Sequence, residues 1–402
     1  MIKQLQIHEL RNLKQVNLTL AACNLIVGAN GSGKTSLLEA VFLLSRGKSF
    51  RHHEPKRYIR HHQSACTVWA RTKFEESCTL AIQKKLDETG RSDSILRFNE
   101  HTVSTQSTLS FHLPTLLIDP VSMSLLDEGS ISRRQMLDWL TFHIQPKFYH
   151  QWLQYQRLLK QRNALLKHSG VHHKLPELFA WDEQLGFYAH ALHEHRLAVF
   201  NQWTRYFDEM IKQLLPEYHS SLSLQYLAGF DYAKPLSQTL KMRLNQDISL
   251  GYTRIGAHRA DINVKIHSRN DQGQTIHEQA THILSRGEKK LLITALKLSQ
   301  LKLMCHAIDK IPMQTAHPPV VLIDDLDAEL DEDAIEILLK TVFSLPCQAI
   351  ITSLNVQTHQ KILALKSDGF MATSAPNQRT AEDLSYKMFH VEQGKFQECN
   401  IS

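Results

Sequence analysis

The eight residues Gly28-Ala29-Asn30-Gly31-Ser32-Gly33-Lys34-Thr35 fit the pattern Gly-x4-Gly-Lys-[Ser/Thr]. Glycines at those positions let successive backbone N–H groups turn inward around phosphate oxygens. With glycine at ~7% of ordinary protein residues, the four fixed positions would coincide by accident in roughly one chain per hundred of this length. Lys34 is placed to reach the β and γ phosphates of a nucleoside triphosphate, and the Thr35 hydroxyl to ligate Mg²⁺. A phosphate loop also needs an acid for the metal at the end of another buried strand. Val320-Val321-Leu322-Ile323-Asp324-Asp325 offers it, with Asp324 as the metal partner through water and Asp325 as the group that orients or deprotonates an attacking water.

The elements around these residues have the required order. Leu25-Ile26-Val27 is an unbroken apolar run that predicts a buried strand entering the loop, and Ser36 to Leu44 carries strong helix formers that predict a helix leaving it. The positive end of that helix adds favourable potential for phosphate. Upstream, Leu5 and Ile7, then Val16, Leu18 and Leu20, alternate with polar neighbours and predict two strands. Residues 66–98 read as strand-rich, broken by Glu88-Thr89-Gly90, and Ala349-Ile350-Ile351 as one more core strand. Between these β-rich ends, Phe148, Trp152, Tyr155, Leu159 and Leu166 recur at helical spacing and predict a helical insert. The expected architecture is α/β: a discontinuous nucleotide-binding head over 1–115 and 251–402, and a helical arm over 116–250 with no apolar heptads long enough for a coiled-coil rod.

At 402 residues, with 42% hydrophobic and 21% charged residues, the chain has the composition of a folded protein of two or three compact units. No apolar run approaches the ~20 residues that cross a bilayer, and the first residues show no secretory signal, so a cytoplasmic protein without a membrane is expected. The six cysteines stand singly, without zinc-ligand spacing, and read as reduced thiols. Adjacent histidines such as His52-His53 point apart on either a helix or a strand, so they do not converge on a metal. A net charge of +6 favours an anionic partner.

Two further segments keep alternatives open. Leu284-Ser285-Arg286-Gly287-Glu288 starts a helix, where Ser285 and backbone amides form an anion site; Ser285 with Glu288 equally has the spacing of a capping box. Arg46, Lys48, Arg51, Lys56, Arg57 and Arg60 form the densest basic cluster, suited to gripping DNA phosphates and equally to a solvated surface. Lys160, Arg162 and Lys167 on the arm are a weaker candidate of the same kind.

The glycine loop, the Ser-Arg-Gly-Glu helix start and the Asp-Asp strand, in that order, resemble the ABC-type ATPase heads, in which the serine segment of one subunit closes over nucleotide held by the other. Leu10-Arg11-Asn12-Leu13, Gly47-Lys48-Ser49-Phe50-Arg51, Arg133-Arg134-Gln135, Leu159 to Leu166, Gly256-Ala257-His258-Arg259-Ala260-Asp261 and Glu329-Leu330-Asp331 narrow the resemblance to the RecF family of bacterial recombination ATPases. It covers nearly the whole chain. The resemblance implies an ATP- and Mg²⁺-dependent homodimer that binds duplex or gapped DNA, hydrolyses ATP slowly, and promotes RecA loading with RecO and RecR in replication-linked repair and the SOS response. It adds Arg11, Asn12, Ser36, Arg286 and Gly287 to the nucleotide site and gives Ser285 a role across the interface. Ala257 stands where the family has proline, Glu288 where glutamine is common, and Asp327-Ala328 alters the approach to Glu329. Aspartate at 325, where ABC heads carry glutamate, suits a slow switch or, as the alternative, a clamp that does not hydrolyse. Thr352-Ser353 occupies the place of the transporter ATPases' histidine, which argues against a transporter subunit.

Overall fold

The computed structural model describes residues 1–73, 76–119, 126, 129–269, 275–308, 317–367 and 385–399. The chain divides into two compact units, Met1–Ser122 with Lys290–Ser402, and Met123–Lys289.

In the first unit, β1 (Ile2–Leu10), β2 (Leu13–Thr19), β4 (Ala65–Lys73), β5 (Ser77–Leu86), β6 (Ser92–Phe98) and β7 (His101–Val103) form an antiparallel sheet in the order β2-β1-β4-β5-β6-β7. A second sheet has the order β15-β14-β3-β13-β12-β8, built from β3 (Cys23–Val27), β8 (Thr115–Ile118), β12 (Val320–Ile323), β13 (Gln348–Ser353), β14 (Tyr386–Glu392) and β15 (Lys395–Cys399). Its strands are parallel except at the β14–β15 edge. Every residue of β3, β8, β12 and β13 is buried, as befits a sheet covered on both faces; the polar members Asn24, Gln348 and Thr352 are buried with hydrogen-bond partners.

Helix α1 (Lys34–Arg46) follows the glycine loop and ends at Gly47, whose φ of 70° only glycine adopts freely and whose N–H returns to the Leu43 carbonyl at 2.8 Å. Leu37, Leu38, Val41 and Leu44 of α1 enter one core with Leu5, Ile7, Val68 and Ile82 of the antiparallel sheet and Ile26, Leu322 and Ile350 of the parallel one. Each such side chain contributes about 1.5–3 kcal/mol by leaving water, so truncating Leu38 to alanine would loosen the element that carries the phosphate loop.

The second unit contains the expected helices, at Ser130–Ile144, Phe148–Leu166 and the 40-residue Leu175–Leu214. It is not wholly helical. β9 (Leu222–Leu227), β10 (Asp261–Arg269) and β11 (Thr275–Gln279) pair into an antiparallel sheet. Because β10 pairs with β9, residues 251–289 pack with the middle of the chain, and the expected boundary at 250/251 differs from this division. Alternation after Gly251 was visible in sequence, but its strand partner, lying beyond two helices, was not.

Candidate functional site

The carboxyl ends of neighbouring parallel strands gather the loop and the acids. β3 runs into the glycine loop, β12 ends at Asp324 and Asp325, and β13, hydrogen-bonded between β3 and β12, ends at Thr352-Ser353. Ligands of open α/β sheets bind at this edge.

Two glycines are required by geometry. Gly28 lies against β14, where an added Cβ would run into the Val391 carbonyl oxygen. Gly33 has φ +123°, a conformation closed to L side chains, and its Cβ would also stand 3.0 Å from Leu13 Cδ2. Asn12 fixes the loop from outside: its Nδ2 donates to the Gly31 carbonyl at 3.1 Å while its Oδ1 accepts from Ser36 Oγ at 3.0 Å. Arg11 is turned the other way. Its guanidinium donates to both oxygens of the fully buried Glu39 at 2.9 Å, which ties the β1–β2 turn to α1. Arg11 therefore supports the loop through α1, and Glu39, which the motif reading passed over, is the counter-charge that holds it there.

The fit to a triphosphate and its metal rests on what is left unpaired. The start of α1 has no side-chain cap and no acid in its first turn, so its N–H groups remain available to an anion. Ser32 Oγ is buried without a hydrogen-bond partner. Lys34 is 4% exposed, and its ammonium donates to the Gly28 and Ala29 carbonyls at 2.7 and 3.2 Å, folded onto its own loop. Thr35 Oγ1 donates to Asp324 Oδ1 at 3.0 Å, so a hydroxyl and a carboxylate converge as the hard oxygen donors that Mg²⁺ prefers. Burial pushes the Asp324 carboxyl above its ordinary range, opposed by bonds from Thr352 and Thr35. Asp325 occupies the left-handed region at φ 45°, ψ 60°, held by its N–H donating to Thr352 Oγ1 at 2.8 Å. Its Oδ1 has no hydrogen-bond partner and stands 4.0 Å from the Lys34 ammonium. Thr352 thus touches both acids, with Oγ1 also 2.8 Å from Asp324 Oδ1. In sequence it stands as one of the pair Thr352-Ser353 after the apolar run Ala349-Ile350-Ile351, with no sign of its contact to either acid.

Residues 1–374 match the family described as the RecF/RecN/SMC N terminal domain. A DNA replication and repair protein RecF of Acinetobacter baumannii (strain SDF) is 39% identical over 395 residues, 98% of each chain. Its counterpart from Cellvibrio japonicus (strain Ueda107) is 34% identical over 397 residues, again 98% of each. The chain belongs to the RecF family. A solved structure described as the recombination mediator protein RecF with ATP in the RecFOR pathway is similar with a TM-score of 0.75 at 22% identity, covering 99% of this chain and 97% of that one. A Smc head domain derived from Pyrococcus furiosus reaches 0.52 at 15% identity, covering 100% and 96%. These likenesses show the fold: an α/β head of the RecF and SMC type, here without a long coiled coil among the described residues.

Ser285, Arg286 and Gly287 belong to the second unit and are exposed. Ser285 and Glu288 make the reciprocal capping box, with Ser285 N–H donating to Glu288 Oε2 at 2.7 Å and Glu288 N–H to Ser285 Oγ at 3.3 Å. Tyr218 Oη donates to the other oxygen of Glu288 at 2.8 Å. Bonds from Ser285 and Tyr218 hold the Glu288 carboxyl below its ordinary range, so the substitution for glutamine keeps an ionised acceptor here. Ala257 is used through its carbonyl, which accepts from Arg196 Nη1 at 2.7 Å and would do so equally in proline. Asp327 is fixed by Thr358 Oγ1 at 2.8 Å and by Ser353 Oγ, which locks the segment after Asp325 to the exit of β13.

The basic cluster divides. Lys48 and Arg51 are exposed; Lys56 and Arg57, also exposed, both pair with Glu54 at 3.4 Å, and Arg60 pairs with Glu9 at 3.4 Å. Arg46 donates to the Thr115 carbonyl at 3.1 Å and so faces inward. Arg162 corrects the weaker reading of the arm: it is 0% exposed, bonded to Asp182 at 2.6 Å and Asp247 at 2.8 Å, and reaches no external phosphate. A helical period marks which positions face inward, but cannot show that a cation there has two carboxylates waiting.

Proposed function

We propose that the chain is an ATP-driven DNA-binding switch of the RecF type, working in the cytoplasm. Two heads close around ATP, the dimer holds duplex or gapped DNA, and slow, DNA-stimulated hydrolysis releases it; in the RecFOR pathway that the similar solved structure's description names, it promotes RecA loading with RecR and RecO. The observation that carries this reading is the meeting of Thr35, Asp324, Asp325 and Thr352 at one strand edge beside an uncapped helix start. Lys34 would leave the Gly28 and Ala29 carbonyls for the β and γ phosphates. Thr35 and Asp324 would hold Mg²⁺, which when bound screens the phosphate charge. Asp325, with an oxygen unpaired, would orient the attacking water. From a second copy, Ser285 and the amides of Arg286 and Gly287 would meet the γ phosphate, since that helix start is exposed and already ordered by Glu288. Lys48, Arg51, Lys56, Arg57 and Arg60 would contact DNA phosphates.

Ser285→Arg tests the reading. It should bind ATP as a monomer with wild-type affinity and give no ATP-dependent dimer in sedimentation velocity. Normal dimers would remove the role assigned across the interface, and a wild-type protein monomeric with ATP, Mg²⁺ and DNA together would remove the switch itself. Aspartate at 325 keeps a non-hydrolysing clamp as the second reading; single-turnover phosphate release separates the two.

A further inference from the structure

The three-stranded sheet of the second unit has two unlike faces. Ile262, Val264 and Ile266 of β10 are buried on one. Asn263, Lys265 and His267 alternate with them on the other, which is partly open to water. There His267 of β10 stands directly opposite His277 of β11, in register. Side chains opposite one another on paired strands have Cβ atoms about 4.5–5.5 Å apart, so two imidazoles in that relation converge, as histidines adjacent in sequence do not. Their ring centroids are 4.4 Å apart with the planes at 88°, and Nδ1 of one ring faces Nδ1 of the other at 2.5 Å. On β9, Ser223 Oγ lies 2.5 Å from His267 Nε2.

We infer that His267 and His277 form a two-imidazole site for a late first-row divalent cation such as Zn²⁺, which joins β10 to β11 and completes its shell with water. Ser223 decides which nitrogen meets the ion. By accepting the Nε2 proton it leaves the Nδ1 lone pair of neutral His267 pointing at His277, and so serves as the outer partner that ligating histidines almost always have. Without metal, His277 supplies the one proton between the two Nδ1 atoms. On binding, that proton passes to the Nε2 of the same exposed ring, and the ion takes its place with no net change in protons. Two nitrogens each about 2.0–2.1 Å from one ion stand roughly 3 Å apart, so the rings need to separate by only about half an ångström. Imidazole nitrogens select such a metal over Mg²⁺, which prefers oxygens like those of Thr35 and Asp324. Among the described residues no third histidine, cysteine or carboxylate joins the pair, and Lys265 is the next residue along the same face, so the site is exchangeable rather than a closed structural centre. Its reach is local. β11 leads through the helix Ala280–Ile283 into Ser285, and the His267 N–H bonds the carbonyl of Ser221, whose own N–H returns to Tyr218, the residue that holds Glu288. Metal across the two strands therefore stiffens the hairpin that enters this helix start.

The test is a calorimetric titration of the untagged full chain with Zn²⁺, without nucleotide, repeated in the presence of Mg²⁺. Wild type should take up one equivalent of Zn²⁺ more than either His277→Gln or His267→Gln, and Mg²⁺ should not displace it. Because His277 is exposed, its variant should melt as wild type does in EDTA. Ser223→Ala should keep the equivalent and bind it about 10-fold more weakly. His112→Gln, which breaks a second close pair between His112 Nδ1 and His317 Nε2 at 2.9 Å, should keep it unchanged. Zn²⁺ should slow amide hydrogen exchange in β10 and β11 of wild type and not of His277→Gln. The proposal is overturned if His277→Gln takes up as much Zn²⁺ as wild type, if His112→Gln loses the equivalent, if Ser223→Ala binds it as tightly as wild type, if Mg²⁺ displaces it, or if exchange in the two strands is unaltered. ATP-driven dimers enter none of these measurements, so this site and the switch stand or fall separately.

Discussion

The hydroxyl of Thr352 lies 2.8 Å from Asp324 Oδ1, and the same oxygen receives the backbone N–H of Asp325 at 2.8 Å. One side chain on β13 therefore sets the position of both acids that follow β12. Thr352→Val keeps shape and burial but removes both bonds. Groups that orient metal ligands typically carry a 10–100-fold effect. ATP turnover should fall by roughly that factor while nucleotide affinity in EDTA changes less than about threefold; steady-state phosphate release and a binding titration read the two quantities.

Lys34→Ala should weaken ATP binding about 100-fold, the loss of charged hydrogen bonds to phosphate. The Gly28 carbonyl is buried and loses its partner with the ammonium, so the variant should stay folded but melt somewhat below wild type. Calorimetric titration with ATP and Mg²⁺ checks the affinity; thermal melting checks the fold. Wild-type affinity would displace the assigned phosphate site.

In the second unit, Arg162→Ala should cost about 3–5 kcal/mol, since it strands two buried carboxylates, Asp182 and Asp247, without their cation. Chemical denaturation measures it. DNA affinity of the folded fraction should not change. A drop in affinity at unchanged stability would return Arg162 to the surface role that its sequence neighbours Lys160 and Lys167 suggest.

His258 gives the same unit an acid limit. Burial, with smaller contributions from Arg259, Arg134 and Arg162, lowers its pKa from 6.5 to about 4, against a raising bond to the Thr253 carbonyl. The neutral ring donates from Nε2 to that carbonyl at 3.0 Å and accepts from Tyr155 Oη at 2.7 Å through Nδ1. As pH falls, the unfolded form takes up the proton first, below 6.5, so the stabilisation is complete above that value and lost on the way down to about 4. The loss is at most about 3 kcal/mol. Denaturation midpoints of wild type and His258→Asn should converge between about pH 7 and 4.5; parallel curves would show that the ring is not the titrating group.

Legibility in the sequence followed the range of the signal. Gly28 to Thr35 and Asp324-Asp325 were readable because glycine loops and apolar runs ending in acid are local patterns that the structure brings together unchanged. The strands of the antiparallel sheet and the helices from 130 to 214 were likewise set by short periods. The contact of Thr352 with both acids was not legible because it exists only through parallel pairing of β13 with β12, between positions 27 and 28 residues apart. The resemblance sets Arg11 at the nucleotide site, and the partner its guanidinium has here, Glu39, lies 28 positions away where no local pattern shows it. The edge of the second unit moved to Lys289 because β10 found its partner in β9.

Lys34 meets the triphosphate already dehydrated. Folding has replaced the water around its ammonium with the two carbonyl oxygens of Gly28 and Ala29, so nucleotide arrival exchanges one pair of oxygens for another. Capture therefore carries little of the enthalpy of stripping a hydrated cation, and its sensitivity to added salt should come from phosphate and magnesium rather than from the lysine.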